Sequence, residues 1–170
     1  MKFQKLIKNN YLNNNVNQKN LIFIFNICNF LKINLKKIIP TLNKFKGLRF
    51  RNEIVINGKK IKVINDSKST SFSSTQELID TKKKTFWILG GLPKKGDKFT
   101  LSKKDCFNLK AYIFGKNVEF FVKRLNDKVH YQKFNNMISA IKKIKIDFKK
   151  EQMSNEKIIL FSPASASFDD

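Results

Sequence analysis

Histidine is almost missing from these 170 residues: His130 is the only one. The two cysteines, Cys28 and Cys106, lie far apart among apolar neighbours, and no CxxC or HxxxH spacing occurs. That excludes a zinc site and an imidazole paired with a nucleophile, so no metal ligands are assigned. Two buried free thiols are expected instead of a disulfide. Arginine is scarce as well, because 32 of the 35 basic residues are Lys and only Arg49, Arg51 and Arg124 are Arg. The net charge of +22 invites a nucleic-acid partner, since a cationic surface releases counterions from phosphate backbones. Bidentate contacts to bases and phosphates are arginine's work, however. Lys, Asn, Ile and Phe can all be written with A/T-only codons, so an AT-rich genome accounts for the composition and nucleic acid is set aside.

Long apolar runs are also absent. The longest, LIFIFNICNFL, covers 11 residues (21–31) and is broken by Asn26 and Asn29. A membrane helix needs about 20. The start, MKFQKLIKNN, lacks the apolar stretch and small-residue cleavage site of a signal peptide. The expectation is a cytoplasmic chain with no membrane partner.

What is present supports a core: 41% hydrophobic residues, with 17 Phe supplying most of the aromatic content. The chain divides near residue 52, because no Asp or Glu precedes Glu53. Residues 1–52 read as helical. Asn17 or Asn20 caps a helix to about Lys32, and a second helix covers Leu35 to Phe45 with a kink expected at Pro40. Residues 53–170 alternate. NEIVING and KIKVIND form a hairpin about Gly58, and STQELIDTKKK reads as a helix capped by Ser74 or Thr75. TFWILGG and LKAYIFGK read as strands. NVEFFVKRLN and NNMISAIKKIKIDFKK have helical spacing, and EKIILFSPASAS is a last strand entering a small-residue loop. The fold class is α/β: a Rossmann-like, mostly parallel sheet flanked by helices, preceded by a short helical piece. Nothing after the last strand is long enough to form a covering helix, so the domain is expected to be incomplete at its C-terminus.

Ligands of open parallel sheets gather outside the carboxyl ends of the strands. Four strand ends carry unusual residues: Asn65-Asp66-Ser67-Lys68, Gly90-Gly91-Leu92-Pro93-Lys94, Gly115-Lys116, and the run Ser162 to Ser167. Glycines let backbone approach a ligand, and lysines beside them hold anionic groups. No GxxxxGK[ST] phosphate loop occurs. Spacing alone implies an acidic ligand.

In their order and separation, INDSKSTS, WILGGLPKKGDKF and ILFSPASASFDD resemble the C-terminal domain of the Mur ligase family, most nearly its D-glutamate-adding type, which reads NDSKATN, LGG-x-x-K and LSPA-x-ASFDQF. FKGLRFRNE resembles the junction F-x-GL-x-HR-x-E with the central domain, and NVNQKN resembles HN-x-x-N. The resemblance covers nearly the whole chain from about Asn17. It implies an ADP-forming amide synthesis in which ATP activates a carboxylate of UDP-N-acetylmuramoyl-L-alanine and the amine of D-glutamate displaces phosphate. By motif position it gives Lys68 and Lys94 catalytic roles, with Lys94, Thr70, Ser167 and Phe168 holding D-glutamate. Asn20, Arg51 and Asp66 would meet ATP at its adenine, phosphates and ribose. Ligands for Mg²⁺ are expected in the central domain, of which 1–52 would be the tail, with 53–170 most of the C-terminal domain. The pattern departs at Val16 and Phe50, where the family has His, and mildly at Ser69 and Ser71. The chain also ends at Asp170, before a further Phe of the motif. An isolated chain of this kind is expected to be inactive. A basic RNA- or ribosome-associated module and a gene remnant are the alternative readings.

Overall fold

The computed structural model describes residues 6–9, 11–13, 15–151 and 156–166. They form two compact units that meet between Gly47 and Leu48. The first unit holds α1 (Asn15–Phe30) and α2 (Leu35–Lys44). α1 begins before Asn17 and Asn20, so both lie inside the helix and neither caps it. α2 is capped by Asn34, whose side-chain oxygen accepts from the Lys36 amide at 3.0 Å. Pro40 sits within α2. Leu21 and Phe25, a helical turn apart, face Ile7 and Leu12 in a small core with Tyr11, Leu35 and Leu42. The Asn9 side-chain amide closes this unit by donating to the carbonyls of Leu42 (2.8 Å) and Phe45 (2.6 Å) at the C-terminal end of α2.

The second unit begins with the hairpin expected about Gly58, formed by β1 (Glu53–Asn57) and β2 (Ile61–Asn65). After α3 (Phe72–Gln76) come β3 (Lys84–Gly90), β4 (Leu92–Pro93), β5 (Leu109–Phe114), α4 (Val118–Leu125) and β6 (His130–Phe134). The remaining elements are α5 (Met137–Lys150), β7 (Lys157–Phe161) and β8 (Ser165–Ala166). Six strands form one sheet in the order β1-β2-β7-β3-β5-β6, and every neighbouring pair except β1–β2 is parallel. The mostly parallel sheet flanked by helices is thus as expected. Both cysteines are buried free thiols.

Three details of the second unit differ from the sequence reading. The helix read over STQELIDTKKK stops at Gln76, and 77–83 lie outside any helix or strand. α3 starts at Phe72 and is capped by Ser71, not by Ser74 or Thr75. Ser71 is extended there and its hydroxyl accepts from the Ser74 amide, while the fully buried Phe72 ring meets Trp87, Phe99 and Phe121 edge-on at 5.7–6.1 Å. Burying that ring is worth about 2–3 kcal/mol, which decides where the helix begins. β6 was not foreseen, because HYQKF lies at the sheet edge with polar residues largely outward and no apolar alternation to betray it.

Both faces of the sheet are apolar, as buried parallel strands require. Trp87, Leu89, Ala111, Ile113 and Leu160 pack with Phe72 of α3 and with Phe121 and Leu125 of α4. On the other face Phe86, Ile88, Tyr112 and Phe114 meet Ala140 and Ile144 of α5. Beyond α5, Ile61, Val63, Ile159 and Phe161 line an open apolar trough of about 520 Å³. Among the described residues, no helix is long and apolar enough to cross a membrane.

Candidate functional site

Because β2, β7, β3 and β5 run parallel, their carboxyl ends share one edge of the sheet. The four unusual strand ends of the sequence are therefore neighbours in space. The order of strand addition reverses between the parallel neighbours β7 and β3: β3 is followed by β5 and β6 on one side, and the chain then returns to β7 on the other. This is where open α/β sheets leave a crevice.

The first wall is the turn after β2. Asp66 extends the β2–β7 ladder by one bond, its amide donating to the Phe161 carbonyl at 2.7 Å. Its carboxylate is buried, with 5% exposure, and engaged on both oxygens. Oδ1 accepts from the Asn52 amide at 2.9 Å and Oδ2 from the Ser162 hydroxyl at 3.0 Å. Burial pushes this carboxyl above the usual carboxylate range, against the pull of those hydrogen bonds and of the Arg51 charge. Asn65 Oδ1 accepts from the Ser67 amide, and the Ser69 amide donates to the Asp66 carbonyl, so the turn closes on itself. The Lys68 amide donates to the Phe50 carbonyl at 3.0 Å, while its side chain is exposed. Phe50 and Asn52 hold left-handed φ values of 64° and 47°, which bends the junction against this turn. Phe50 takes part through its backbone, so the loss of the family's His there leaves the bend in place.

The second wall lies between β3 and β7. Gly90 has φ 154°, and an added Cβ would run into the Phe114 carbonyl oxygen, so only glycine fits. Its amide donates to the Pro163 carbonyl (3.2 Å) and its carbonyl accepts from the Ser165 hydroxyl (2.5 Å). The two-residue strands β4 and β8 then pair, Leu92 with Ala166 and Pro93 with Ser165. The indole of Trp87 donates to the Ser162 carbonyl at 2.7 Å from the buried side. Lys94 follows directly after β4 with its side chain exposed.

Asp66, Lys68, Thr70 and Lys94 accordingly share the carboxyl edge, Thr70 exposed, and Arg51 lies in the junction close enough for its charge to act on Asp66. Asn20 is exposed on α1 in the first unit. Ser167 and Phe168 lie outside the described residues. Among the described residues there is no group of three or more His, Cys, Asp or Glu able to hold a metal ion. Sequence reasoning gave Ser69 and Thr75 no part in the site, nor Ser162 by itself. The hydroxyls of Ser74 and Ser69 (2.6 Å), Ser69 and Thr75 (2.9 Å), and Thr75 and Ser162 (2.7 Å) join into one row ending on Asp66. The only sequence signal was the density of Ser and Thr at two strand ends. Chemically, the edge offers exposed lysines over a polar, hydrogen-bonded floor, a surface suited to a ligand with several anionic groups.

No family model matches the chain. Among curated proteins, it is 34% identical over 154 residues, 90% of its length, to the UDP-N-acetylmuramoylalanine--D-glutamate ligase of Wolbachia sp. subsp. Brugia malayi. It is 34% identical over 158 residues, 91% of its length, to the protein of that name from Francisella philomiragia. The chain spans 30% and 37% of the length of these relatives. Among solved structures, UDP-N-acetylmuramate-alanine ligase MurC of Thermotoga maritima superposes over 84% of this chain and 33% of its own, with TM-score 0.54 and 16% identity. MurF of Acinetobacter baumannii does so over 81% of this chain and 32% of its own, with TM-score 0.55 and 13% identity. At such identities these two establish the fold.

Proposed function

Since the chain is homologous to Mur ligases over nine-tenths of its length, we propose that it forms the amino-acid-binding part of an ADP-forming ligase joining D-glutamate to UDP-N-acetylmuramoyl-L-alanine in cytoplasmic peptidoglycan synthesis. Residues 1–52 would be the tail of the central, ATP-hydrolysing domain and 53–170 the C-terminal domain. The observation that carries this reading is the gathering of Lys68, Thr70 and Lys94 at one sheet edge by the parallel strand order.

In the reaction, the terminal phosphoryl group of ATP passes to the alanyl carboxylate, giving an acyl phosphate and ADP. The D-glutamate amine then attacks the acyl carbon, and phosphate leaves as the amide forms. Negative charge accumulates in both steps, and fixed cations that meet it there lower the barrier. Lys94 is assigned to the D-glutamate carboxylates and Lys68 to the transferring phosphoryl region, with the Thr70 hydroxyl orienting D-glutamate. Ser167 and Phe168 complete that pocket by motif position. Arg51 is assigned to the ATP phosphates and Asn20 to the adenine side. Asp66 would meet the ribose only through the lone pairs that Asn52 and Ser162 leave over. Among the described residues no three His, Cys, Asp or Glu cluster, and the ion that accompanies ATP is assigned to the central domain, as the motif resemblance implies.

The test is a chimera in which this chain replaces the matching region of the Wolbachia relative. Amide formation from ATP, D-glutamate and the UDP-sugar substrate is expected, and Lys94→Ala should reduce it by about a hundredfold or more, the size of losing one transition-state contact. Undiminished turnover in Lys94→Ala, with the fold intact by circular dichroism, removes Lys94 from the mechanism. The 170-residue chain alone is expected to release no phosphate with ATP and D-glutamate, and release would overturn the division of labour proposed above.

A further inference from the structure

The row of hydroxyls beneath the edge ends on a buried carboxylate. A Ser or Thr hydroxyl has one proton to donate, and an ionised carboxylate can only accept. Ser162 gives its proton to Asp66 Oδ2 at 3.0 Å, so at the 2.7 Å contact with Thr75 it must accept. Between Ser69 and Thr75 (2.9 Å) and between Ser74 and Ser69 (2.6 Å) either hydroxyl can be the donor, and Ser74 also donates to the Ser71 carbonyl at 2.9 Å. Four hydroxyls thus link exposed Ser74 to buried Asp66. Ser69, Thr75 and Ser162 are themselves buried, at 4%, 0% and 0% exposure. Neighbouring hydrogen bonds in such a row polarise one another. The row also has a mechanical consequence. Asp66 and Ser69 stand at the two ends of the turn that carries Lys68, and both are tied through Ser162 and Thr75 to β7 and α3, which the core holds rigidly.

The geometry points to Thr75 and Ser162 as positioning residues: through this row they clamp the Asp66–Ser69 turn from below, so that Lys68 and Thr70 are presented to an anionic amino-acid ligand in a fixed arrangement. The assignment rests on the reading of Lys68 and Thr70 given above, although the clamp itself can be tested without a ligand. Neither residue touches the ligand. Both act through the turn.

The experiment compares the ¹⁵N-labelled 170-residue chain with Thr75→Val, which keeps the shape and removes the hydroxyl, and with Thr75→Ser, which keeps the hydroxyl. Amide exchange at Lys68 and Ser69 should quicken about tenfold or more in Thr75→Val and stay near wild type in Thr75→Ser, with β3 and β5 amides unchanged in both. The ¹³C-detected titration of the Asp66 carboxyl should move upward in Thr75→Val only, because Ser162 loses the donor behind it. Unchanged exchange at Lys68 and Ser69 in Thr75→Val overturns the clamp. So does an equal rise across β3 and β5, which would make the hydroxyl a requirement of the whole fold. D-glutamate added to the wild type separates the two claims. If the turn loosens in Thr75→Val but D-glutamate never shifts the Lys68 and Thr70 amides, the clamp stands and the ligand reading falls.

Discussion

Asp147 is the most exacting place to test the packing of the second unit. It lies on α5 with 7% exposure, yet it is charged. Lys110 from β5 and Lys143 one turn earlier each donate to it at 2.6 Å, and the Tyr112 hydroxyl donates at 2.8 Å. Burial alone would raise this carboxyl, but the hydrogen bonds from Lys110, Lys143 and Tyr112 outweigh it and hold Asp147 well below the usual carboxylate range. In Asp147→Ala the fully buried Tyr112 hydroxyl loses its partner, at about 1–3 kcal/mol. The two lysines keep partial access to water, with side-chain exposures of 25% and 32%, so their lost bonds add only about 1–2 kcal/mol together. The expected loss at pH 7 is therefore roughly 3 kcal/mol. Because the folded value lies below the unfolded one of about 3.9, the stabilisation is complete above pH 5 and is lost as pH falls through the folded value. Asp147→Asn, which keeps an acceptor but no charge, should thus trail wild type by a constant amount between pH 5 and 8. That gap should narrow below about pH 4. Urea unfolding followed by the fluorescence of Trp87, the single tryptophan, measures both variants. A deficit for Asp147→Ala under about 1 kcal/mol at pH 7, or a gap for Asp147→Asn that ignores acid, would refute the reasoning.

Gly90→Ala should destabilise the second unit by at least roughly 2 kcal/mol, since the new Cβ meets the Phe114 carbonyl. Gly96→Ala, with φ 81° but open space around it, should cost only about 1 kcal/mol by the same urea assay. Burial pushes the Cys106 thiol up to about 11. In a Cys28→Ser background, alkylation by iodoacetamide at pH 8 should be far slower than that of a free thiol and should accelerate only as pH approaches that value. A rate at pH 8 equal to that of an unfolded control would show the thiol to be open.

Local pattern by itself settled the order of the main elements. The alternation in NEIVING and KIKVIND, the apolar runs of TFWILGG and LKAYIFGK, and the helical spacing about Ile141 and Ile144 each state a period that backbone geometry must follow. The residue types of the edge were equally legible, since the hydroxyl clusters STSFSST and SPASAS stand out in so lysine-rich a chain. The polar edge strand β6 and the start of α3 were not legible, because one depends on pairing with β5 and the other on where the Phe72 ring finds its pocket. The same holds for the hydroxyl row. Ser162 and Thr75 are 87 residues apart in the chain, and nothing local joins them. Only the placing of β7 between β2 and β3 brings their side chains to 2.7 Å, under a turn that the sequence marked without showing what holds it.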